Sequence, residues 1–546
     1  MGGPPSPPLG GAAHFNYSRV PRDRIFGVFF ALVWAACIVG GIYAITHRSP
    51  AFVHTDFQDP ASCPLDPTDG HRRLMELHAQ HKGDFSVSDF MRLTGRWLAV
   101  SALLALGLGV AFIHLFKHHS AVMTKATVGT QVAFPAAMAI VFIVSGQPLG
   151  ALMFGGLAAL SAWVFYLWRD QINLATRLLG VSAHGLAANA GIVPATICLS
   201  LGSLVAIAPL CAFLGFAFMN GEVIPNPQRQ GSLQCVDAEG QDVLCCSWQP
   251  NSFARAYMGC AVVTLLWTML LANQIRVFVT SGAVAQWYFA PSGSLTAPRG
   301  TTRLSLKHAL GPSFGSLCLS SLVLTISQLI RDAMDNASRE NDEIGVGTII
   351  KTIFICLAQC CLSVLEYLTK FATVLMAITG EAFMDAGRHV TDLLLRNLLN
   401  AFASTVWFTP LVIRLACLTM SAGWGLLSGG AYYYLHRSSA LEATPGLNAS
   451  VLGVSVFVVT QFVLSFIGGI LLSVLDAVFI CWAIDRDSQT VSHPEVYSVF
   501  QTVPIPGAVV EQPDGDIQYG AGEAAPSYQA PSSAPHAYEP PTISRV

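Results

Sequence analysis

A single carboxylate interrupts a long apolar stretch near the C-terminal part of the chain. Residues 471–487 read LLSVLDAVFICWAIDRD, so Asp476 follows four apolar residues and a serine and precedes eight uncharged residues. Burying a lone ionised carboxylate costs a large free energy. The position therefore predicts either a functional acid or an ion pair with an Arg or Lys of a neighbouring helix, and the sequence leaves both open.

A second polar group lies in the apolar run LLWTMLLANQIRVFVTSGAVAQWYF of residues 265–289. Trp267, Gln274 and Phe278 recur there at helical spacing, which places two aromatic rings around an amide on one helix face. Aromatic faces attract organic cations, so this face is a candidate wall of a cation-binding site. The alternative is helix packing with an interhelical hydrogen bond.

Other motifs indicate packing rather than chemistry. Gly311–Gly315 satisfies the G-x-S-x-G pattern of a hydrolase nucleophile, with Ser313 at its centre and His308 nearby, but no strand pattern precedes it. An intramembrane serine hydrolase is therefore the less favoured alternative. His114 and His118 share a helix face without further ligands, so neither a metal nor another cofactor is predicted.

A further charged pair, Glu366 and Lys370, is four residues apart in the order that favours an ion pair within one helix. We therefore expect these two side chains to neutralise each other.

Composition places these residues in a membrane protein. Of 546 residues, 53% are hydrophobic and 11% charged, whereas soluble domains carry about 25% charged residues. The net charge of −3 gives no reason to expect a nucleic-acid partner. Apolar runs of about 20 residues or more predict helices that cross a lipid bilayer. Ten are predicted: 25–45, 97–116, 126–145, 148–168, 192–219, 256–289, 309–330, 346–378, 402–435 and 451–484.

Basic residues in alternate connections orient the spans. They are Arg19, Arg22, Arg24, Lys117, Lys125, Arg169, Arg177, Arg299, Arg303, Lys307, Arg388 and Arg396. Positive charge marks the cytoplasmic side, so an all-α polytopic bundle with both termini cytoplasmic is predicted. Residues 1–24 and 485–546 are expected to be disordered cytoplasmic ends, residues 25–45 a first span, residues 46–96 an outside loop, and residues 97–484 the transmembrane domain.

The predicted outside loops contain most of the groups that suit an oxidising space. Cys235 could pair with Cys245 or Cys246 in a short disulfide loop, whereas a zinc site is less favoured because no C-x-x-C pair is present. The sequons at Asn336 and Asn448 would face outside and could be glycosylated.

The second half of the chain resembles the choline transporter-like family. The resemblance rests on LLANQIRVFVTSGAVAQWYF, KHALGPSFGSL, LEYLTKFATVLMAITGEAF, LLLRN and LLSVLDAVFICWAIDRD, in this order, between about residues 250 and 500. It implies ten spans, cytoplasmic termini, glycosylated outside loops and facilitated movement of choline or related organic cations. The family pattern has like residues at Trp287, Tyr288 and Phe289, across 308–316, and at Glu366, Arg396, Asn397 and Asp476. The segment after the last span, DRDSQTVSHPEVYSVF, departs from the family's longer acidic stretch.

Together these features predict a plasma-membrane carrier of choline or a similar amine that works by alternating access. Its candidate binding residues are Trp267, Gln274, Phe278, Trp287, Tyr288 and Asp476. A quaternary ammonium cannot donate strong hydrogen bonds, so aromatic faces, at about 0.5–2 kcal/mol each, would supply the recognition. The alternative within the transporter class is an ion or a lipid as the solute.

Overall fold

The chain is almost wholly helical in the computed structural model, which describes residues 15–49, 52, 87–226, 235, 243–290, 300–339, 346–397, 399–436 and 445–501. Lipid offers no hydrogen-bond partners to the backbone, so segments that cross it form helices. The described elements are α1 Arg24–Thr46, α2 Val87–Val144, α3 Pro148–Leu167, α4 Arg169–Ala188, α5 Ile192–Phe218, β1 Gly221–Pro225, β2 Cys246–Pro250, α6 Ser252–Tyr288, α7 Thr301–Leu310, α8 Phe314–Arg339, α9 Val346–Thr379, α10 Phe383–Asn397, α11 Leu399–His436, α12 Pro445–Asp487 and α13 Pro494–Gln501.

The predicted polytopic bundle is confirmed, with nine helices in the described residues long and apolar enough to cross a membrane. The predicted spans 97–116 and 126–145 are two arms of α2, which leaves helical geometry at His119 (φ −135°, ψ 40°). The predicted span 309–330 begins later than expected, because α7 ends at Leu310 and α8 starts at Phe314. Three helices that are not candidate spans, α4, α7 and α10, lie between candidate spans in the chain.

Burial separates the central helices from those that face lipid. In the most apolar window of α12, 67% of the residues are buried inside the protein, whereas none is in that of α3. The second half of α6 is buried on every side from Val277 to Tyr288. Exposed leucines, valines and aromatic residues cover α1, α2, α3 and α5 instead. Gln274 of α6 and Asp476 of α12 are therefore inside the bundle rather than against acyl chains.

Small residues bring α11 and α12 into direct backbone contact. A Cβ atom at Gly425 would lie 2.8 Å from the carbonyl oxygen of Gly453, and one at Gly429 would lie 2.9 Å from that of Ala449. The GxxxG spacing thus serves close helix approach, as it does in other membrane bundles.

The end of the bundle that the sequence assigns to the outside is organised by a disulfide-linked hairpin. Strands β1 and β2 pair antiparallel, with Gly221 opposite Pro250. A disulfide joins Cys235 to Cys245, and Cys246 is disulfide-bonded as well. Asn220 ties the hairpin to α1 by donating to the Ala44 carbonyl at 2.9 Å. Of the two sequon residues, Asn336 is exposed near the end of α8 and Asn448 is half-buried in the first turns of α12.

Both described chain ends lie at the other, predicted cytoplasmic, end and are more ordered than expected from their composition. Residues 15–23, which fall in the predicted disordered segment, contact the ends of α9 and α7: the Asn16 amide donates to Ile378 and the Arg22 amide to Pro312. The predicted disordered tail likewise begins too early at 485, because α12 continues to Asp487 and α13 follows. Phe500 of α13 is fully buried and stacks on Trp482 at 5.1 Å. Tertiary packing orders both segments.

Candidate functional site

Asp476 forms an ion pair with Lys370, which lies on the neighbouring helix α9. The predicted pairing of Lys370 with Glu366 is therefore wrong. Glu366 instead pairs with Arg331 of α8, whose Nη2 atom lies 2.7 Å from the Glu366 Oε1 atom. Glu366 and Lys370 are one turn apart on α9, and each finds a partner on a different neighbour, so α9 is linked electrostatically to both α8 and α12.

Trp267 lies where α1, α6 and α8 meet. Its indole Nε1–H donates to the Ser321 hydroxyl at 3.0 Å, and its ring packs on Phe30 with centroids 5.0 Å apart. Phe29 covers another part of the ring at 5.5 Å. The polar and apolar parts of this side chain are both used inside the protein, as the packing alternative requires.

Phe278 already has a cation over its ring. The guanidinium carbon of Arg19, from the N-terminal segment, lies 5.5 Å from the Phe278 ring centroid and 5.3 Å from that of Phe15. The same guanidinium donates to the carbonyl oxygens of Met376 and Ala377, at 2.9 and 2.6 Å. These carbonyls lie in the last turn of α9, where the helix carries partial negative charge, and the Met376 oxygen also accepts from the Gly380 amide.

Gln274 lies one helical turn before Phe278 on α6 and is 2% exposed. Its Oε1 accepts no hydrogen bond from any residue that the structure describes. A buried amide oxygen without a donor costs free energy, so it marks a place where a polar or charged guest would be stabilised.

The N-terminal segment is held by a second contact, at Asp23. Its carboxylate accepts from the Ser316 hydroxyl at 2.6 Å and from the Phe383 amide at 3.2 Å, and its backbone is left-handed (φ 51°). A Cβ atom at Gly315 would lie 2.3 Å from the Asp23 carbonyl oxygen. The second glycine of the G-x-S-x-G pattern is therefore needed for this approach.

Ser313 lies in the turn between two helices, not after a strand. Its amide donates to the His308 carbonyl, whereas the His308 Nδ1 atom has no hydrogen-bond partner in the described part of the chain. The arrangement lacks the base-to-hydroxyl hydrogen bond that activates a serine, and the segment packs against the N-terminal residues instead.

Trp287 and Tyr288 end α6 beside the C-terminal segment. The Tyr288 hydroxyl donates to Asp485 at 3.1 Å, and Trp287 packs on His493 with ring centroids 4.7 Å apart. Asp485 also accepts from the Ser492 amide and hydroxyl, at 2.8 and 2.7 Å. Sequence reasoning missed Asp485, whose signal is an acid at the end of an apolar span followed by Ser and Thr residues.

These contacts divide the six predicted residues into two groups. Phe278 lies against the guanidinium of Arg19, and Gln274, one turn away on α6, has an unpaired amide oxygen among the described residues, whereas Trp267, Trp287, Tyr288 and Asp476 are engaged by other side chains. None of the six lines the 590 Å³ cavity between α2, α3 and α4. No cluster of three His, Cys, Asp or Glu side chains suited to a metal occurs within the described ranges.

A family profile described as plasma-membrane choline transporter matches residues 152–487. The chain belongs to the choline transporter family. The matched region runs from α3 to the end of α12, so it includes the helices of Gln274, Phe278, Lys370 and Asp476. Arg19 and the segment that carries it lie before the matched region.

Several proteins are similar at low identity. A CTL-like protein of Dictyostelium discoideum is 23% identical over 442 residues, which are 77% of this chain and 78% of that protein. Protein PNS1 of Yarrowia lipolytica is 24% identical over 376 residues, 66% of this chain and 60% of its own. Choline transporter-like protein 2 of Mus musculus is 27% identical over 230 residues, 41% of this chain and 32% of its own. The choline transporter family membership makes this a multi-pass membrane protein with a transporter's architecture.

The contact between residues 15–23 and the rest of the bundle is expected to depend on pH through His308. Burial, with Arg19 and Lys307 nearby, lowers the pKa of His308 from 6.5 to about 4. When the N-terminal segment is released, water reaches His308 and its pKa should return towards 6.5. Between pH 4 and 6.5 the released state therefore binds more protons than the closed state. Acidification from pH 7 to 5 should therefore favour release. We expect faster hydrogen exchange at the Asn16 and Arg22 amides at pH 5, after correction for intrinsic rates.

The control for this pH effect is His308→Asn, which keeps a polar side chain but cannot titrate. Its exchange at those amides should differ little between pH 7 and 5. An equal acid response in this variant and the unmodified protein would assign the effect to another group.

Proposed function

We propose that this protein is a facilitative transporter of choline or a related amine, located in the plasma membrane and driven by the membrane potential. Family membership supports a transporter, and the choline transporter-like protein of mouse supports this class of solute. The choice of an organic cation rests on one observation, the guanidinium of Arg19 held over the Phe278 ring.

The surroundings of Arg19 have the chemistry that an organic cation needs. Two aromatic rings, Phe15 and Phe278, and the carbonyl oxygens that end α9 surround a delocalised positive charge. A quaternary ammonium is also diffuse and weakly hydrated, and each aromatic face would contribute about 0.5–2 kcal/mol to its binding. The unpaired Gln274 oxygen, one turn along α6, adds a polar contact for a hydroxyl-bearing amine such as choline.

We infer that Arg19 and the solute exchange at this position. When residues 15–23 are bound to the bundle, the Arg19 guanidinium covers the face of the Phe278 ring and the predicted cytoplasmic end of the bundle is closed. Release of the segment would vacate the ring and open that end, which is one half of an alternating-access cycle. Asp476 and Lys370 would keep α12 and α9 together while the N-terminal segment moves. No chemical energy source is required, because a monovalent cation gains about 2.3 kcal/mol on moving inward across 100 mV.

Choline uptake into vesicles tests the proposal. Purified protein in liposomes, with an imposed inside-negative potential of about 100 mV, should accumulate labelled choline up to roughly fiftyfold. Ethanolamine and carnitine as competitors would define the preferred head group. Uptake that does not respond to the potential would contradict electrogenic entry of a bare cation.

Two matched variants locate the binding position. Phe278→Leu keeps apolar bulk but removes the aromatic face, and the lost cation–π contact should raise the KM for choline by roughly 2- to 30-fold. Phe142→Leu makes the same change in a ring that stacks on Phe154 between α2 and α3, away from the proposed site. A KM unchanged by Phe278→Leu would remove the ring from the proposed pathway.

A further inference from the structure

A cavity of about 590 Å³ between α2, α3 and α4 has a strongly basic lining. Lys125, Arg169 and Arg177 line it, together with polar side chains that include Ser120 and Asn173. None of the described residues in the lining is acidic. Such a cavity repels choline, so it is separate from the proposed cation site.

Most of the positive charge in this cavity is available to a ligand. Lys125 and Arg177 are exposed and have no carboxylate partner among the residues that the structure describes. Arg169 lies 3.7 Å from Asp170, but both side chains are largely exposed, at 66% and 83%, so the pair is weak. Arg169 is also the first residue of α4, and the partial positive charge of that helix end adds to the field.

A narrow apolar cleft of about 10 Å³ adjoins the basic cavity. The two share Val128, Phe165 and Ile172, and the cleft extends to Leu411 and Leu415 of α11. Trp163 and Tyr166, which flank the cavity residue Phe165 in the sequence of α3, have exposed rings, as expected of side chains at the level of lipid head groups. A basic cavity at this level, next to the exposed apolar surface of α3, fits a head group whose acyl chains remain in the bilayer.

We propose that this cavity binds the phosphate-bearing head group of an anionic phospholipid from the cytoplasmic leaflet. The Arg fork suits phosphate oxygens, and Lys125 adds a point charge. The acyl chains would lie along the exposed apolar surface of α3, a contact that a free phosphate anion lacks. This site does not depend on the identity of the transported solute.

Native mass spectrometry of the full chain in detergent tests the site, with phosphatidylserine and phosphatidylcholine as probes. The unmodified protein should retain one more phosphatidylserine than phosphatidylcholine molecule. The variant Lys125→Gln/Arg169→Gln/Arg177→Gln should bind phosphatidylserine roughly a hundredfold more weakly, and Arg177→Gln alone roughly fivefold. The single variant keeps the test valid if the triple variant folds poorly.

The matched control, Lys117→Gln/Arg303→Gln/Arg388→Gln, removes the same charge from exposed positions outside the cavity. It should bind phosphatidylserine as the unmodified protein does. Equal retention by the cavity variants and the unmodified protein would overturn the site. Displacement of the lipid by millimolar inorganic phosphate would overturn the lipid assignment and favour a free anion.

Discussion

Replacing Asp476 by Asn is expected to lower the free energy of unfolding by about 3 kcal/mol. Lys370 would keep its charge inside the bundle without the carboxylate that neutralises it. The Asp476 side chain is 11% exposed and that of Lys370 32%, so water could compensate only in part. Thermal unfolding and denaturant titration of the purified protein in detergent would measure the loss.

Removing both charges separates the ion pair from the packing. Lys370→Met/Asp476→Leu should recover most of the stability, because apolar side chains of similar size leave no unpaired charge. Glu366→Gln is the matched single change in the ion pair with Arg331, whose side chains are 27% and 29% exposed. It should lower the free energy of unfolding by about 1 kcal/mol. If the Asp476→Asn variant were as stable as the unmodified protein, the pair would not stabilise the fold. Choline uptake by the double variant would then isolate any contribution of the carboxylate to transport.

Arg19→Ala should release the N-terminal segment from the bundle. The change removes two charge-assisted hydrogen bonds and the cation–π contacts, together on the order of 3 kcal/mol, or more than a hundredfold in the equilibrium. Hydrogen exchange at the Asn16 and Arg22 amides should accelerate accordingly. If Arg19 competes with the solute, the apparent affinity for choline from the cytoplasmic side should rise by a similar factor.

Two further arginine variants control this result. Arg19→Lys keeps the charge but loses the planar fork. Its amide exchange rates and its choline affinity should therefore lie between those of the unmodified protein and those of Arg19→Ala. Arg24→Ala removes an exposed arginine at the start of α1 and should change neither exchange nor affinity. Faster amide exchange in Arg19→Ala without a change in choline affinity would retain the contact but reject competition with the solute.

The Glu366 and Lys370 pair shows where sequence reasoning reaches its limit. Spacing along a helix describes which side chains can meet on that helix, and four residues is a favourable separation. It contains no information about charges on other helices. Arg331 and Asp476 are 35 and 106 positions from their partners, so only the packing of α9 between α8 and α12 could select them.

Arg19 shows the same limit at the proposed binding position. Its neighbourhood in the sequence is rich in Pro and Gly, which predicts disorder for a chain considered alone. The carbonyl oxygens that it binds lie more than 350 positions away, at the end of α9. The cation beside Phe278, the ring that sequence spacing selected, comes from a segment whose composition predicts disorder.

The amino-acid sequence alone is enough to establish the membrane class and most of the helical spans, and it predicts their orientation, because these follow from local apolar length and from lysine and arginine in short connections. It also identified polar residues that are buried, such as Gln274 and Asp476. Only the packed fold shows which charge neutralises Asp476, which cation covers Phe278 and which cysteine joins Cys235. Each of these depends on groups that are not neighbours in the chain and that approach only after the helices have packed.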